Sequence, residues 1–572
     1  MFSRCRFVIK GGSRFSTKTS LTNASRSGIR LFSTSPISGP KFLGSAIGFA
    51  LLSFGLGLAV SSLVIPKQDA QVQTFPLAST TPLEQLDSPR YGSEEDLEKC
   101  VDEIRRVVGD ELVKNTPVEI DYHTDNGFNP SKPLPHQKPR YIVYPLSTED
   151  VSKIMKIVNQ YNIPVVPYSG GTSLEGHTYS TRPGIVLNTS KMNKILQVNV
   201  DDLDAVLQAG VGWQDLNEYL SKHEGMDNLM LGCDCGPGAH VCGMISTNAS
   251  GIGATRYGSM ASNVVSIKAV LADGTVIKTK LRPRKSSAGY NLTGLLVGSE
   301  GTLAIVTEVV VKLQVKPGYE TVAVVQFPDV NDCTKSMASF FKKGIPLNAV
   351  ELLDADMMRC VNYSDLVSKK FENLPTLFIK IGGLNKVIVD EYVKEVSAIS
   401  KSNNCNTFEF ARTAEEAEEL FFARKNALYI MLDYGFNEIS PDAKMWITDC
   451  AVPLSRLAST LEQLNDMMKE YPLHHMVLGH GDANLHYDIF YTPDQLEMCK
   501  EAVDRMAKLT IENEGTCSGE HGIGSGKRAL LELELGKDTI SMMRKLKLAL
   551  DPKRLLNPDK VFKIDPLDAS TE

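Results

Sequence analysis

The chain has no excess of positive charge that would suit a nucleic-acid partner. Its 572 residues hold 61 Lys and Arg against 68 Asp and Glu, a formal net charge of -7, with both signs mixed through the body. It also lacks a cysteine pattern, because only Cys233, Cys235 and Cys242 lie close together, at a spacing that fits neither a zinc knuckle nor a compact disulfide framework. We therefore expect no nucleic-acid binding and mostly free or buried thiols.

Two standard nucleotide-binding motifs are also missing. Residues 522–527, Gly-Ile-Gly-Ser-Gly-Lys, resemble a Walker A loop, but the glycines are one residue too close and Arg528 replaces the required Ser or Thr. Gly210 and Gly212 are not followed by the third glycine of a dinucleotide fingerprint. These departures exclude a P-loop and leave a Rossmann NAD site unsupported. No internal repeat is visible, and a chain of this length is expected to form two or three domains.

Acidic residues are absent from the first 68 positions, which are rich in Arg, Lys, Ser and Thr. This composition is typical of a mitochondrial presequence, and we assign residues 1–35 to one. Arg30-Leu-Phe-Ser resembles the context in which matrix proteases cleave. A basic disordered tail is the alternative.

Residues 42–65 form a run of Leu, Ile, Val, Phe, Ala, Gly and Ser without a charge. As a helix this segment would be about 36 Å long, at ~1.5 Å per residue, which is enough to cross a bilayer. After an import signal it predicts a transmembrane helix in the mitochondrial inner membrane, with the body facing the intermembrane space. A two-part presequence that is removed would leave a soluble body in the same compartment, and the sequence leaves this alternative open.

The rest of the chain divides by pattern into a linker and two larger units. Residues 66–95 are polar and contain four prolines, which predicts an extended linker. Residues 96–135 lead into an α+β unit over 136–316, where strands are expected at 141–144 and 163–166, a helix after Ser147, a hairpin over 264–280, and strands at 303–307 and 309–313. Residues 317–510 are expected to form a second domain.

The loop 167–177, Pro-Tyr-Ser-Gly-Gly-Thr-Ser-Leu-Glu-Gly-His, directly follows the apolar run 163–166. Gly170 and Gly171 permit positive φ and a close backbone approach, while Ser169, Thr172 and Ser173 add hydroxyls to the loop's own amides. The loop therefore predicts a cradle for a cofactor that carries a diphosphate. A loop that only turns the chain is the alternative.

Five ordered motifs carry a family resemblance. They are the loop 167–177, the glycine-rich stretch 236–251, Gly-Ser-Glu-Gly-Thr at 298–302, Ser-Gly-Glu-His-Gly-Ile-Gly at 518–524 and Asp-Pro-Lys-Arg-Leu-Leu-Asn-Pro at 551–558. Over roughly residues 136–565 the chain resembles the vanillyl-alcohol-oxidase, or PCMH-type, flavoproteins, and within them the D-2-hydroxy-acid dehydrogenases. The resemblance implies an α+β fold: a PCMH-type FAD-binding domain of two α+β subdomains over 136–316, an α/β substrate (cap) domain over 317–510, and a C-terminal segment 511–565 that completes the active site and the FAD domain.

The resemblance also implies that FAD is bound, with its pyrophosphate on the loop 167–177. Some relatives tether FAD covalently through a histidine and His177 lies in this loop, but this branch usually does not, so we expect non-covalent FAD. The residues implied to hold FAD are Ser169, Gly170, Gly171, Thr172, Ser173, Pro237, Gly238, Gly243, Met244, Thr247, Asn248, Gly251 and Ile305.

Imidazole and carboxylate groups that suit a divalent ion recur between residues 480 and 521. The resemblance implies His480, His486 and Glu520 as ligands of a divalent metal, most simply Zn²⁺, and His521 as the catalytic base. The two metal histidines are one residue closer together than in that branch, which leaves open whether His480 or the position of Gly479 matches the first ligand. A structural, hydrogen-bonded role is the alternative for a histidine of this kind.

Arg424 matches the family's carboxylate-binding arginine, whose planar fork can hold a carboxylate through two hydrogen bonds. The alternative is an arginine on the surface of an amphipathic helix, beside Lys425. Taken together, these implied roles predict FAD-dependent oxidation of D-lactate to pyruvate, with cytochrome c as electron acceptor. D-2-hydroxyglutarate or glycolate as substrate, a redox-neutral transferase on the same fold and a non-catalytic anchored binding protein are the alternatives.

Overall fold

The computed structural model describes residues 78–130 and 132–568, all within one unit of the chain, Thr74–Glu572. The predicted presequence, the predicted transmembrane helix 42–65 and the first part of the predicted linker lie outside the described residues. Among the residues that are described, none of the helices has the length and apolar character needed to span a membrane.

The first part of the fold is a four-stranded sheet with three helices. Its elements are α1 (Glu94–Val108), β1 (Val113–Lys114), α2 (Pro117–Tyr122), β2 (Tyr141–Val143), α3 (Thr148–Tyr161), β3 (Val165–Tyr168) and β4 (Ile185–Asn188). The strand order is β1-β2-β4-β3, and β4 is parallel to both β2 and β3. Ser147 caps α3 by accepting from the amide of Asp150, as its position in the sequence predicts. The loop 167–177 therefore begins at the carboxyl end of β3.

The second part is an antiparallel sheet of five strands, in the order β5-β6-β10-β8-β9. The elements of this part are β5 (Ile195–Asn199), β6 (Asp204–Gln208), α4 (Trp213–Lys222), β7 (Leu229–Met230), α5 (Val241–Thr247), α6 (Ala254–Tyr257), α7 (Met260–Asn263), β8 (Val264–Val270), β9 (Val276–Lys278), α8 (Leu292–Leu296), β10 (Ile305–Lys312) and β11 (Gln314–Val315). The predicted hairpin is present as β8 and β9. The two strands expected at 303–307 and 309–313 are one strand, β10, because a register shift against β8 between Val306 and Glu308 absorbs the break in the pattern.

The third part is an eight-stranded sheet covered by helices. Its elements are β12 (Tyr319–Gln326), α9 (Val330–Lys343), β13 (Leu347–Leu353), α10 (Ala355–Tyr363), β14 (Thr376–Gly383), α11 (Lys386–Ser402), β15 (Thr407–Phe410), α12 (Ala414–Lys425), α13 (Ala427–Tyr434), β16 (Lys444–Ile447), β17 (Cys450–Ala451), α14 (Leu457–Met468), β18 (His474–His480), β19 (Asn484–Tyr491) and α15 (Leu496–Glu512). The strand order is β15-β12-β14-β13-β18-β19-β16, and β17 pairs with β19.

Every strand pair in this third sheet is antiparallel, so the predicted α/β cap domain is built as an α+β unit. The reason is that α9 links β12 to β13, but β14 inserts between these two strands and runs against both. Successive residues of β12 face opposite sides: Ala323 and Val325 pack with α9, α11, α14 and α15, whereas Val322 and Val324 pack with α10, α12 and α13.

The end of the chain returns to the first sheet. After α16 (Arg528–Leu535) and α17 (Lys537–Leu550), Leu556 forms a parallel bridge with Val165, and the amide of Asn557 donates to the carbonyl of Val165 at 2.7 Å. The described part of the predicted linker packs on this segment, because the amide of Thr81 donates to the carbonyl of Ser541 at 2.9 Å. Residues 78–92 are therefore held against the fold.

Candidate active site

A cavity of about 930 Å³ lies between the loops of the first two sheets and the cap. Its size falls within the range of roughly 300–1,000 Å³ that is usual for cofactor sites. The predicted residues that line it are Ser169, Gly170, Gly171, Thr172, Ser173, Pro237, Gly243, Met244, Thr247, Gly251, Ile305, Arg424, His480, His486, Glu520 and His521. The structure thus brings almost the whole predicted set to one enclosure, although these residues span three parts of the fold.

Gly238 and Asn248 are not among the described residues that line the cavity. A side chain at Gly170 would come within 2.6 Å of the Gly238 carbonyl, so these two backbones are in close contact. Asn248 ends α5 in a left-handed conformation, and its Oδ1 accepts from the amide of Ala261 at 2.8 Å. Both residues therefore support the loops that line the cavity, although they do not line it themselves.

The loop after β3 offers four consecutive amides as anion donors. The amides of residues 170–173 donate to no acceptor within the described part of the chain, whereas Asn126 Nδ2 donates to the carbonyls of Gly171 and Ser173 at 2.9 and 2.7 Å. Gly171 has a φ of 68°, and a side chain there would lie 2.0 Å from the Tyr168 hydroxyl oxygen. Unpaired amides that line a cavity form a suitable cradle for a diphosphate. Sequence analysis missed Asn126, because an isolated Asn in a loop carries no local signal.

Glu520 and His521 lie on a turn that is built around a buried carboxylate, Asp449. Asp449 accepts from Ser518 Oγ at 2.7 Å and from the amides of Glu520 and His521 at 3.0 and 2.8 Å. Burial alone would raise the pKa of Asp449, but His521 and Lys527 lower it well below its ordinary value. The turn is therefore fixed by an ionised side chain that sequence analysis did not single out.

The His521 imidazole is held in the uncharged form that a base requires. Burial lowers its pKa to about 4, although the charge of Asp449 acts in the opposite direction. Its Nδ1 lies 3.9 Å from Glu175 Oε1, and Lys527 Nζ lies 3.1 Å from that same oxygen. The ring is stacked on that of His486, with centroids 5.3 Å apart.

His480, His486 and Glu520 form a group that fits a divalent ion. Their ligand atoms lie within 4.8 Å of one another, with His480 Nε2 and His486 Nε2 at 3.6 and 3.3 Å from Glu520 Oε1. The other ring nitrogen of His486 donates to the Thr448 carbonyl at 2.8 Å, which leaves its Nε2 without a proton and available to an ion. Two imidazoles and a carboxylate are a common donor set for zinc. The shorter spacing of the two histidines thus does not remove His480 from the group.

The charge around His480 is consistent with an ion at this place. Burial would lower its pKa, but Glu351 and Glu520 together raise it well above its ordinary value. A divalent ion bound between these side chains would replace the proton on His480 Nε2. A second group, Asp449, His486 and His521, also has its ligand atoms within 4.8 Å, but the oxygens of Asp449 already accept backbone amides.

Arg424 lies at the end of α12 with its guanidinium at the cavity. Its Nε donates to Glu351 Oε2 at 2.8 Å, and its side chain is 12% exposed. The two terminal nitrogens make no hydrogen bond to any of the described residues. They are therefore free to hold a ligand carboxylate.

The residues that resemble a Walker A loop have a different role in the fold. The amides of Ile523 and Gly524 donate to the Glu300 carboxylate at 2.7 and 2.8 Å, and that carboxylate lies 3.0 Å from His177 Nε2. The amides of Ser525 and Gly526 donate to the Glu175 carbonyl at 3.0 and 3.1 Å. The loop 522–526 therefore fastens the turn that carries His521 to the continuation of the predicted cofactor loop.

Comparison with known proteins identifies the family. Residues 139–280 match the FAD binding domain family, and residues 316–561 match the C-terminal domain of FAD linked oxidases. The chain is 47% identical to the mitochondrial D-lactate dehydrogenase [cytochrome] of Kluyveromyces lactis, over 92% of this chain and 90% of the relative. It is 46% identical to D-lactate dehydrogenase [cytochrome] 1 of Saccharomyces cerevisiae, over 89% and 87% of the two chains.

A solved structure shows the same fold at low sequence identity. P-cresol methylhydroxylase with bound substrate has a TM-score of 0.68 and 17% identity, and the match covers 84% of this chain and 99% of that one. This likeness bears on the fold alone. Together with the close relatives, it shows that the chain belongs to the FAD-linked oxidases with a PCMH-type FAD-binding fold, the family of the mitochondrial D-lactate dehydrogenases [cytochrome].

Proposed function

We propose that the protein is an FAD-dependent dehydrogenase that oxidises D-lactate to pyruvate. The observation that carries this proposal is the division of one cavity into a cradle of four unpaired amides and a cap side that presents Arg424 and His521. An oxidation of a hydroxy acid by a flavin needs these groups: an anchor for a diphosphate, a cation for a carboxylate and a base for a hydroxyl. The printed names of the close relatives support D-lactate as the acid.

The chain's residues fit non-covalent FAD. Its diphosphate would be held by the amides of residues 170–173, with the hydroxyls of Ser169, Thr172 and Ser173 nearby. A side chain at Gly243 would meet no atom within 4 Å, so the cavity has room for a flat ring beside α5. Met244, Thr247, Gly251 and Ile305 would complete that wall. When bound, the flavin supplies the acceptor for the hydride that leaves C2 of the substrate.

The cap side would bind the acid and remove its proton. The two free nitrogens of Arg424 would hold the substrate carboxylate through paired, charge-assisted hydrogen bonds. His521, uncharged in the protein, would accept the hydroxyl proton, and Glu175 lies close enough to stabilise the imidazolium that results. His480, His486 and Glu520 would hold a divalent ion, Zn²⁺ by the nature of the donors, which would lower the pKa of a coordinated hydroxyl.

We further propose that cytochrome c accepts the electrons and that residues 42–65 attach the protein to the mitochondrial inner membrane, with its body in the intermembrane space. The support for this is the acid-free N-terminus, the apolar run and the printed names of the relatives, which are mitochondrial and of the cytochrome type. Alkaline carbonate extraction of mitochondria tests the attachment. Release of the full-length protein into the soluble fraction would contradict it.

An anaerobic titration of the purified protein with D-lactate tests the proposed reaction. D-lactate should bleach the absorption of oxidised FAD, whereas L-lactate should leave it unchanged, and ferricytochrome c should restore it. D-2-hydroxyglutarate and glycolate, tested on the same preparation, decide whether another acid is preferred. If none of these acids reduces the flavin, the proposed function is wrong.

A further inference from the structure

Glu351 is a fully buried carboxylate in the middle of the cap sheet. It lies on β13, opposite His480 of the neighbouring strand β18, and its side chain is 0% exposed. A buried carboxylate is strongly destabilising unless cations or hydrogen-bond donors surround it. Glu351 has two such partners, and both belong to the proposed substrate and metal sites.

The first partner is Arg424. Glu351 Oε2 lies 2.8 Å from Arg424 Nε, which is the one nitrogen of the guanidinium that does not belong to its terminal fork. Because the contact is made at Nε, it fixes the plane of the guanidinium and leaves both terminal nitrogens available. A fork that is already oriented loses less conformational entropy when it binds a carboxylate.

The second partner is His480. Glu351 Oε1 lies 3.0 Å from His480 Nδ1, and a carboxylate can only accept, so Nδ1 must carry the proton. This leaves Nε2 as the atom that faces Glu520, at 3.6 Å from Oε1. Histidines that bind metals commonly have their other nitrogen fixed by a carboxylate in this way.

We infer that Glu351 is a positioning residue that orients two groups at once: the guanidinium of Arg424 for the substrate carboxylate and the imidazole of His480 for the metal ion. The inference rests on the proposed function for the identity of the acid, but the contacts themselves do not depend on it. One carboxylate thus joins substrate binding to ion binding.

Replacing Glu351 with Gln breaks this arrangement with almost no change in volume. The amide has one accepting oxygen and one donating nitrogen, so it can satisfy either Arg424 Nε or His480 Nδ1, and its NH2 group then opposes the other donor. We expect the KM for D-lactate of Glu351→Gln to rise about tenfold or more, and the metal content per flavin to fall, since loss of such a partner typically lowers metal affinity about 10–100-fold.

The experiment compares the full-length holoenzymes of the parent protein, Glu351→Gln and a control variant. Three quantities are measured for each: KM and kcat for D-lactate, the metal content by mass spectrometry, and the affinity for oxalate, which is read from the shift of the oxidised flavin spectrum. Asp354→Asn is the matched control, because Asp354 is a half-buried carboxylate three residues further on that caps α10 and lies outside the cavity. The control should keep the metal content, the oxalate affinity and the KM of the parent protein.

Three results decide the inference. Weaker oxalate binding and a lower metal content in Glu351→Gln, with FAD retained, support it; unchanged values for both overturn it. If Glu351→Gln does not fold, Glu351→Asp decides, because the shorter side chain cannot reach both partners, and parent values for this variant also overturn the inference. Oxalate binding and metal content can be measured even if D-lactate is not the substrate, so failure of the proposed function is seen separately in the unmodified protein.

Discussion

Three buried carboxylates hold the groups around the cavity in place, and none of them is itself placed to react. Asp449 fixes the turn before His521, Glu300 fixes the loop after it, and Glu351 orients Arg424. Each accepts hydrogen bonds on both oxygens, which offsets the unfavourable burial of its charge. The chemistry of the site therefore depends on carboxylates that hold the reactive groups in position.

Arg424→Lys should reduce kcat/KM for D-lactate by about a hundredfold. A lysine has neither the Nε that Glu351 holds nor a planar fork, so the ammonium can satisfy Glu351 or the substrate carboxylate but not both, and two charge-assisted hydrogen bonds of ~1.5–3 kcal/mol each are involved. Steady-state kinetics measure the effect. Arg412→Lys is the control, because Arg412 is exposed and lies just before α12. Equal losses in both variants would argue against the assigned role of Arg424.

Asp354 should make the stability of the protein fall as the pH rises. Burial raises its pKa to about 7, whereas its pKa in the unfolded chain is about 3.9. Between these values the folded state binds the proton and the unfolded state does not, so the contribution to stability is full below about pH 4 and is lost by about pH 7.

Asp354→Asn stays neutral at every pH and keeps the cap of α10. Its midpoint of thermal unfolding should therefore match that of the parent protein near pH 4 and exceed it near pH 8. Thermal unfolding of both proteins at the two pH values checks this. A difference between the two proteins that does not change with pH would contradict the prediction.

Among the elements, the loop 167–177 has a conformation that leaves no room for a side chain at Gly171. Gly171→Ala should cause loss of bound FAD, because the left-handed φ of 68° disfavours a side chain and the new Cβ would lie 2.0 Å from the Tyr168 hydroxyl oxygen. The Tyr168 ring in turn packs against His123, with ring centroids 4.6 Å apart, so it has little room to move away from the new Cβ. The ratio of FAD to protein after purification measures the effect.

Gly344→Ala provides the matched control for that variant. Gly344 also has a left-handed φ, 75°, but a side chain there would meet no atom within 4 Å. This variant therefore introduces the backbone strain, of about 1 kcal/mol, without the steric conflict. If both alanine variants retain FAD equally, the close fit of Gly171 is not what holds the cradle.

The elements that sequence analysis predicted well are those with local signals. Ser147 marks the start of α3, and Asp273-Gly274 marks the turn between β8 and β9. The separation of β10 into two strands was wrong, because a bulge interrupts the alternation of side chains without ending the strand. The antiparallel order of the cap sheet was missed for a related reason, since helix and strand segments alternate along the chain whichever way the strands pair.

The site could be predicted for residues that lie in motifs, and not for residues that act through distant partners. Glu351 is 129 residues from His480 and Asn126 is 45 residues from Gly171, so no local pattern joins either pair. A single acidic residue in an apolar strand was the one available signal for Glu351. Such a residue needs a buried partner, but the sequence does not name it.

At the scale of the whole molecule, the end of the chain stabilises the beginning of the fold. Leu556 is fully buried beside Val165, so Leu556→Ala should lower the free energy of unfolding by about 2–5 kcal/mol and weaken FAD binding as well. Leu567→Ala, at a side chain that is 80% exposed, should change stability by no more than ~0.5 kcal/mol. The two variants are compared by thermal unfolding, with flavin fluorescence as the probe. Retained FAD together with unchanged stability in Leu556→Ala would contradict this role of the C-terminal segment.

The contact between the C-terminal segment and the first sheet also determines when the fold can be completed during synthesis. Leu556 bridges to Val165, and Lys560 donates to the carbonyl of Tyr179 across a separation of 381 residues, so the sheet that carries the cofactor loop lacks these contacts until residues 556–560 have been synthesised. Contacts of such long range form slowly. A chain that stalls or is cut before residue 556 would therefore lack the backbone bridge to Val165, and we expect it to hold FAD less tightly than the parent protein.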